Sequence, residues 1–354
     1  VAVMMSVKLV DIARKTGYSV STVSRALNGN SSRYKIGDKT AKEIQMVAED
    51  LGYRRNKIAR SLKSKKTFEL GVAVSDIFNP FFVTLIKSIS KEVRKIGYTI
   101  LLCDSDDTTE FEKDSIGHLL ESRVEGLIIA PVGIYSDYFQ ELKDSNIPTI
   151  IVDRIFPNFV FDSVFVDNYK GSCLATEYLI KCGHRRIAFI QGLPGTVPNS
   201  QRLNGFNDTL KNHGIPVPTE LIVGNDYRIP NGYLQTKKLL KFNPPPTAIY
   251  TASDLITLGA IQAIKEENLT IPHDISLISF DDPGYFAHLS PPMTAVKQPA
   301  REMGSIAVKL LFERIKNKSV KQKRVQLNPE LIIRNSVNRI SETVDSEKMK
   351  AVII

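Results

Sequence analysis

The sequence predicts an all-α, strongly basic helix-turn-helix head joined to an α/β body built as two lobes of parallel, doubly wound sheet. Three observations predict it. The charge is divided: residues 1–66 hold 15 Lys and Arg against five acids, a net of +10, whereas the remaining residues hold 32 against 33, a net of −1. A basic module on a neutral body is the footprint of a nucleic-acid partner. The basic segment also has helical apolar periodicity, which a solubilising tail would lack. Finally, from Phe68 onward apolar strand-like runs alternate with amphipathic helical stretches at a return length of roughly 25–30 residues, the rhythm of βαβ units.

In the head, Leu9, Ile12, Ala13 and Thr16 share one helical face, and Gly17 breaks the run. Ser19 suits the N-cap of a second helix that turns Val23, Ala26 and Leu27 inward and stops at Asn28-Gly29. A third begins near Asp38 and sets Ile44, Val47, Ala48 and Leu51 at i, i+3, i+4, i+7, with Gly52 just past its end. Two short helices across a tight turn are the sequence form of a helix-turn-helix. In the body, strands are expected at 70–75, 99–104, 126–131, 149–154, 186–191, 248–252 and 275–281, with helices between them such as 82–96 and 168–182. The expected domains are a head at 6–53, a linker at 54–66 and a body at 67–337. The lobes are expected to comprise 67–162 with 294–325, and 163–293 with 326–337. The tail, 338–354, is expected to be frayed.

Several function classes drop out. No apolar stretch approaches the roughly 20 residues of a membrane span, and the apolar run at 1–7 is too short for a signal-peptide core. Cys103, Cys173 and Cys182 form no CxxC pair, so a reducing cytoplasm is the expected compartment. The five histidines (118, 184, 213, 273, 288) have no metal-ligand spacing, and neither a metal nor a cofactor is expected. GxSxG and P-loop motifs are absent; Gly192-Leu193-Pro194-Gly195 lacks the following Lys-Ser/Thr, so the chain is not expected to be an enzyme.

Ligands of open α/β sheets bind beyond the carboxyl ends of the strands. Those ends are polar here, at Asn79, Asp104, Asp153-Arg154, Ser253-Asp254 and Asp281, with aromatic residues Phe81, Phe82, Tyr227 and Tyr250 nearby. Carboxylate and guanidinium groups bridge adjacent hydroxyls with paired hydrogen bonds, and aromatic faces cover the C–H side of a sugar ring. A sugar fits this set better than an apolar metabolite. The alternative at each position is structural: Asp153 and Asp281 as loop caps, Phe82 as core.

A run of motifs then identifies a family. Val10-Asp11-Ile12-Ala13 is followed by Val20-Ser21-Thr22-Val23-Ser24-Arg25-Ala26-Leu27-Asn28, then by Leu51-Gly52-Tyr53 and Ala59-Arg60-Ser61-Leu62. Further on come Asn79-Pro80-Phe81-Phe82, Val152-Asp153-Arg154, Gly183-His184-Arg185 and Ser279-Phe280-Asp281-Asp282. In order and spacing, over residues 7–337, the chain resembles the lactose-repressor/galactose-repressor (LacI/GalR) family of bacterial regulators. Two departures stand out: about three extra residues after Asn28, and Arg55 where many members carry Pro before the hinge helix. Losing that Pro widens the unfolded ensemble of the hinge.

The resemblance implies a homodimer, or a dimer of dimers, on a near-palindromic double-stranded operator. It also implies a hinge helix over 56–63 and a body similar to periplasmic sugar-binding proteins. A recognition helix meets base edges with its N-terminal side chains, here Val20, Ser21, Ser24 and Arg25. Arg25 suits either guanine or a phosphate, and Val20 either a thymine methyl or helix packing. Lys8, Arg33, Lys57 and Lys63 are expected on phosphates, and Asn28, Asn56 and Ala59 complete the DNA-facing set. Leu62 is expected as a minor-groove wedge. Asn79, Phe81, Phe82, Asp153, Arg154, Arg202, Asp281 and Gln298 fall on ligand-contacting positions of the sugar binders, joined by Tyr227 and Ser253. Ser253 replaces an Asn often found there, so pentose specificity does not follow. Thr196 and Pro198 stand where purine-type repressors carry Arg and Thr. A nucleobase-sensing repressor, and a sugar-binding protein without gene control, remain the alternatives.

Overall fold

The computed structural model describes residues 7–28, 31–53, 66–133, 137–156, 161–217, 219–319 and 321–340. The chain divides into two compact units, Val1–Thr67 and Phe68–Ile354. In the first, α1 (Leu9–Thr16), α2 (Val20–Leu27) and α3 (Asp38–Asp50) pack around Ile12, Val23 and Ile44, each without solvent exposure. Local chemistry sets the ends. Gly17 adopts φ 75° and donates its N–H to Ala13 O at 2.9 Å, closing α1. Ser19 Oγ accepts from Thr22 N at 3.1 Å, opening α2.

The second unit holds two six-stranded sheets. In chain order its elements are β1 (Glu69–Val74), α4 (Pro80–Lys95), β2 (Thr99–Asp104), α5 (Thr109–Glu121), β3 (Leu127–Ile129), α6 (Tyr138–Asp144), β4 (Thr149–Val152) and β5 (Asp162–Val166). Next come α7 (Asn168–Lys181), β6 (Ile187–Ile190), α8 (Val197–Asn212), β7 (Ile222–Val223), α9 (Ile229–Leu239), β8 (Ala248–Thr251), α10 (Asp254–Glu266) and β9 (Ser276–Phe280). The chain ends with β10 (Thr294–Lys297), α11 (Ala300–Lys316), β11 (Arg324–Leu327) and β12 (Glu330–Ile332). The first sheet runs β11-β5-β4-β3-β1-β2 and the second β12-β10-β9-β8-β6-β7; only the β10/β12 pair is antiparallel.

The inner strands of both sheets are buried on two faces, which is why they read as apolar runs rather than alternating ones. In the first lobe Leu70, Val72 and Val74 of β1 face α4 and α11, while Ala73 joins Leu127, Ile129 and Phe139 on the other side. The second lobe centres on Phe189, which stacks on Phe206 at 5.2 Å and meets Tyr250 edge-on at 5.0 Å.

All seven expected strands are present within a few residues, but the lobes change later than expected. Residues 163–166 belong to the first sheet through β5, and 294–297 to the second through β10. Residues 326 and 327 lie in β11, beside β5. The chain therefore crosses after β5, between β10 and α11, and after β11. The physical reason is the short parallel connection between β4 and β5, nine residues with no helix among those described. Parallel neighbours ordinarily need a crossover of about a dozen residues or more, so β5 had no helix to announce it. The tail also departs from expectation. Asn338 N donates to Ser276 Oγ at 2.9 Å, Ile340 N to Cys182 O at 2.8 Å, and His184 Nε2 lies 3.2 Å from Asn338 O. Residues 338–340 are thus docked on the second lobe; 341–354 lie outside the described residues. Among the described residues no helix is long and apolar enough to cross a membrane.

Helices α9 and α10 approach through glycines. A methyl on Gly259 would run into the Ile229 carbonyl, and one on Gly232 into that of Ile256. Helix propensity alone would make Gly→Ala favourable by about 1 kcal/mol. The backbone contact reverses that sign, so Gly259→Ala is expected to destabilise the body by about 1–3 kcal/mol. Thermal unfolding would show a lowered midpoint; an unchanged or raised one would contradict the close approach.

Candidate functional site

The outer face of α2 carries Val20, Ser21, Ser24, Arg25 and, just beyond its end, Asn28, while Val23 and Leu27 are buried on the opposite side. Val20 is 44% exposed, so the core-packing alternative for it does not hold. Ser24 is half-buried, and Asn28 Nδ2 donates to Ser24 O at 2.7 Å and lies 3.3 Å from its Oγ. That pair closes the end of the helix. Lys8 and Arg33 are exposed on the same unit. The hinge candidates Asn56, Lys57, Ala59, Leu62 and Lys63 lie outside the described residues.

In the body, the strand ends converge on a tight cleft of about 20 Å³. It is lined by all ten ligand candidates, Asn79, Phe81, Phe82, Asp153, Arg154, Arg202, Tyr227, Ser253, Asp281 and Gln298, together with Pro198. A larger cavity, about 170 Å³, lies in the first lobe beside Lys143, Arg314 and Lys318. Its Arg314 is paired with Asp162 at 2.7 Å and its Lys318 Nζ donates to Asn146 O, so these cations serve packing.

The two lobes supply the cleft with matching parts. Asp153 follows β4 at φ 65° and Asp281 follows β9 at φ 72°, both in the left-handed region that non-glycine residues rarely adopt. Each has a guanidinium neighbour. Arg154 Nη1 donates to Asp107 Oδ1 at 2.8 Å and to Val132 O at 2.7 Å, and its Nε lies 3.8 Å from Asp153 Oδ2. Arg202 donates through Nε to Asn168 Oδ1 at 2.8 Å and through Nη1 to Ala252 O at 2.6 Å, with Asp281 Oδ2 4.0 Å away. Its guanidinium carbon lies 3.7 Å from the Phe280 ring centroid. Gln298 Nε2 donates to Asp281 Oδ1 at 2.5 Å, and Gln298 Oε1 has no partner among the described residues. Burial raises both Asp153 and Asp281 above the ordinary carboxylate range, opposed by the arginines.

Not every candidate is free to meet a ligand. Phe82 is 2% exposed and belongs to the first-lobe core. Ser253 caps α10, its Oγ accepting from Ile256 N at 3.3 Å, and Asn79 caps α4 through Phe81 N. Asp107, Asn168 and Val132 had no signal in the sequence, because they act by orienting the two arginines from distant segments. Asp254, inside the first turn of α10, is pushed up to about 8 by burial and by the charge of Asp281. Among the described residues no cluster of three His, Cys, Asp or Glu side chains could hold a metal.

Two family models match the chain: bacterial regulatory proteins of the lacI family over residues 8–56, and a periplasmic binding protein-like domain over 176–337. Catabolite control protein A of Priestia megaterium is 32% identical over 94% of this chain and 99% of its own. The chain belongs to the LacI family. The transcriptional repressor PurR of Photobacterium profundum is 30% identical over 94% and 98% of the two chains. Among solved structures, the Lac repressor dimer bound to operator and the anti-inducer ONPF superposes with a TM-score of 0.80 at 27% identity, covering 94% of this chain and all of that one. A LacI-family regulator from Enterococcus faecium with bound ribose gives 0.71 at 28%, covering 77% and 100%. These relatives are regulators of transcription, and the head and two-lobed α/β body described above have the architecture of the Lac repressor.

Beneath Arg154, the fully buried Glu112 accepts from Val132 N at 2.8 Å and from the Tyr138 hydroxyl. Burial pushes its carboxyl up to about 7, against the opposing effect of those two donors. A carboxyl raised in the folded state stabilises the fold fully below its unfolded value of about 4.5, and that contribution is lost as pH rises through 7. The contribution is on the order of 3 kcal/mol. Glu112→Gln is therefore expected to flatten the decline in unfolding midpoint between pH 4.5 and 8; an unaltered slope would contradict the assignment.

Proposed function

We propose that this LacI-family regulator is a homodimeric repressor whose operator affinity is controlled by a sugar bound in the cleft. The observation that carries the ligand class is the pair of buried arginine–aspartate sets, one from each lobe, facing one cavity. Forked donors beside carboxylate acceptors match the vicinal hydroxyls of a polyol, and the Phe81 and Tyr227 rings offer flat apolar cover. The ribose bound to the Enterococcus faecium relative supports the same class. A nucleobase is the second reading, favoured by the aromatic rings. Against it, Thr196 is buried with its hydroxyl donated to Leu193 O, and it adds no charged group for a purine edge.

For DNA, base reading falls to Val20, Ser21 and Arg25. Lys8, Arg33, Lys57 and Lys63 meet phosphates, Ser24 and Asn28 position α2, and Asn56, Ala59 and Leu62 act from the hinge. Dimerisation is supported by apolar side chains left exposed on the body: Leu102 on edge strand β2, Phe111, Val83 and Ile96 in the first lobe, and Leu234 and Tyr285 in the second. Ligand would alter closure of the lobes and, through the paired first lobes, the formation of the hinge helices. Sugar and operator then change each other's affinity by one factor, about 5–150-fold. The chain would act where the DNA is, in the cytoplasm, without cofactor or catalysis.

The test is fluorescence anisotropy on a selected palindromic duplex, titrated at fixed salt with monosaccharides, sugar phosphates and purines. The expected result is that one sugar shifts affinity several-fold. Asp281→Ala should abolish that shift with DNA binding intact, and Leu62→Ala should remove specific binding while sparing weak salt-dependent attraction. A shift produced only by a purine would promote the second reading, and no shift by any compound would overturn the ligand class.

A further inference from the structure

Residues 31–36 form a turn that bears on Arg25. Ile36 N donates to Ser31 O at 2.8 Å and Lys35 N to Ser32 O at 3.3 Å, with Lys35 itself at φ 54°. This turn brings Tyr34 back against α2. The Arg25 guanidinium carbon lies 4.2 Å from the Tyr34 ring centroid, and that of Arg33 lies 5.8 Å from it. Both distances are within the roughly 6 Å over which a cation is attracted to an aromatic face. Among the described residues Arg25 has no carboxylate partner.

Stacking and base reading use different parts of a guanidinium. The ring engages the planar face, whereas the N–H donors lie in the plane and point outward along the edges. An arginine drawn over the Tyr34 ring rather than onto a carboxylate keeps its N–H donors for a base, and part of the rotamer freedom that a long exposed side chain would lose on binding is already restricted. A carboxylate in the same place would have consumed those donors. We propose that Tyr34 is a positioning residue that fixes the plane of the Arg25 guanidinium and so sharpens the base preference Arg25 imposes. The turn at residues 31–36 is thereby part of the specificity apparatus. The inference rests on Arg25 reading a base, as proposed above.

The experiment is selection of randomised palindromic duplexes by the full-length protein, followed by affinity measurement on single-position variants. It compares wild type with Arg25→Ala, Tyr34→Ala, Tyr34→Phe and the Arg25→Ala/Tyr34→Ala pair. The expected result is that Arg25→Ala erases preference at one symmetric position of each half-site. Tyr34→Ala should weaken that same preference by about two- to five-fold, the size of an exposed cation–π contact. Tyr34→Phe, which keeps the ring, should retain it, and the double variant should match Arg25→Ala alone. Three results would overturn the positioning role while leaving base reading by Arg25 standing: full preference in Tyr34→Ala, an equal loss on every sequence, or additive losses in the double variant. Undiminished preference in Arg25→Ala would remove base reading and the positioning role together.

Discussion

Burying charge between two lobes is the constraint on which the body depends. Asp153, Arg154, Arg202 and Asp281 are all less than a tenth exposed, and an ion withdrawn from water is costly unless it is both paired and hydrogen-bonded. The partners come from segments far apart in the chain. Asp107 and Val132 hold Arg154, while Asn168, Ala252 and the Phe280 ring hold Arg202. The hydrogen bonds of each arginine thus come from its own lobe, while the Arg154 guanidinium also lies 5.3 Å from the Tyr227 ring centroid of the other lobe, and each aspartate is held at a strand end in a backbone conformation costing on the order of 1–3 kcal/mol. The set is pre-oriented in a way that loose surface charges could not be.

The sheets make this arrangement reachable. Parallel strands bring all their carboxyl ends to one edge, so residues 79, 153 and 154 from one lobe and 253 and 281 from the other face a common space. At the rim, Arg228 ahead of α9 donates to Asp106 after β2 at 2.8 Å, an ion pair between lobes that is half exposed and therefore weak. A weak rim contact and strong internal anchoring suit a cleft whose closure is to be decided by what fills it. The head is built on a different principle. Its core consists of a few aliphatic side chains, and its working face is left polar, exposed and cationic.

Features set by neighbouring residues were legible in the sequence. The three head helices follow from Gly17, Ser19 and the 3.6-residue spacing of Ile44, Val47, Ala48 and Leu51, and seven strands follow from apolar runs between helical stretches. The family resemblance and the polar and aromatic strand ends together located ten of the residues that line the cleft, and Pro198 entered only as a departure from purine-type repressors. What the sequence hid was decided by tertiary contact. Strands β5 and β10 lack a flanking helix on one side, β7 has two residues, and the docking of 338–340 depends on acceptors at Cys182 and Ser276. Nothing in the sequence singles out Glu112, whose burial comes only from Val132 and Tyr138 closing over it in the fold. Phe82 reads equally as ligand platform and core, and packing against the first-lobe sheet makes it core.

On the reading proposed above, the paired arginines and aspartates of the cleft hold a polyhydroxylated ligand. Calorimetric titration of monosaccharides, D-ribose among them, into the DNA-free protein tests it most directly, with an Arg154→Ala/Arg202→Ala variant alongside. Saturable binding of one sugar per chain, lost in the variant, is expected. Sugar binding of undiminished affinity in the variant, or no monosaccharide binding to the wild type, would contradict it.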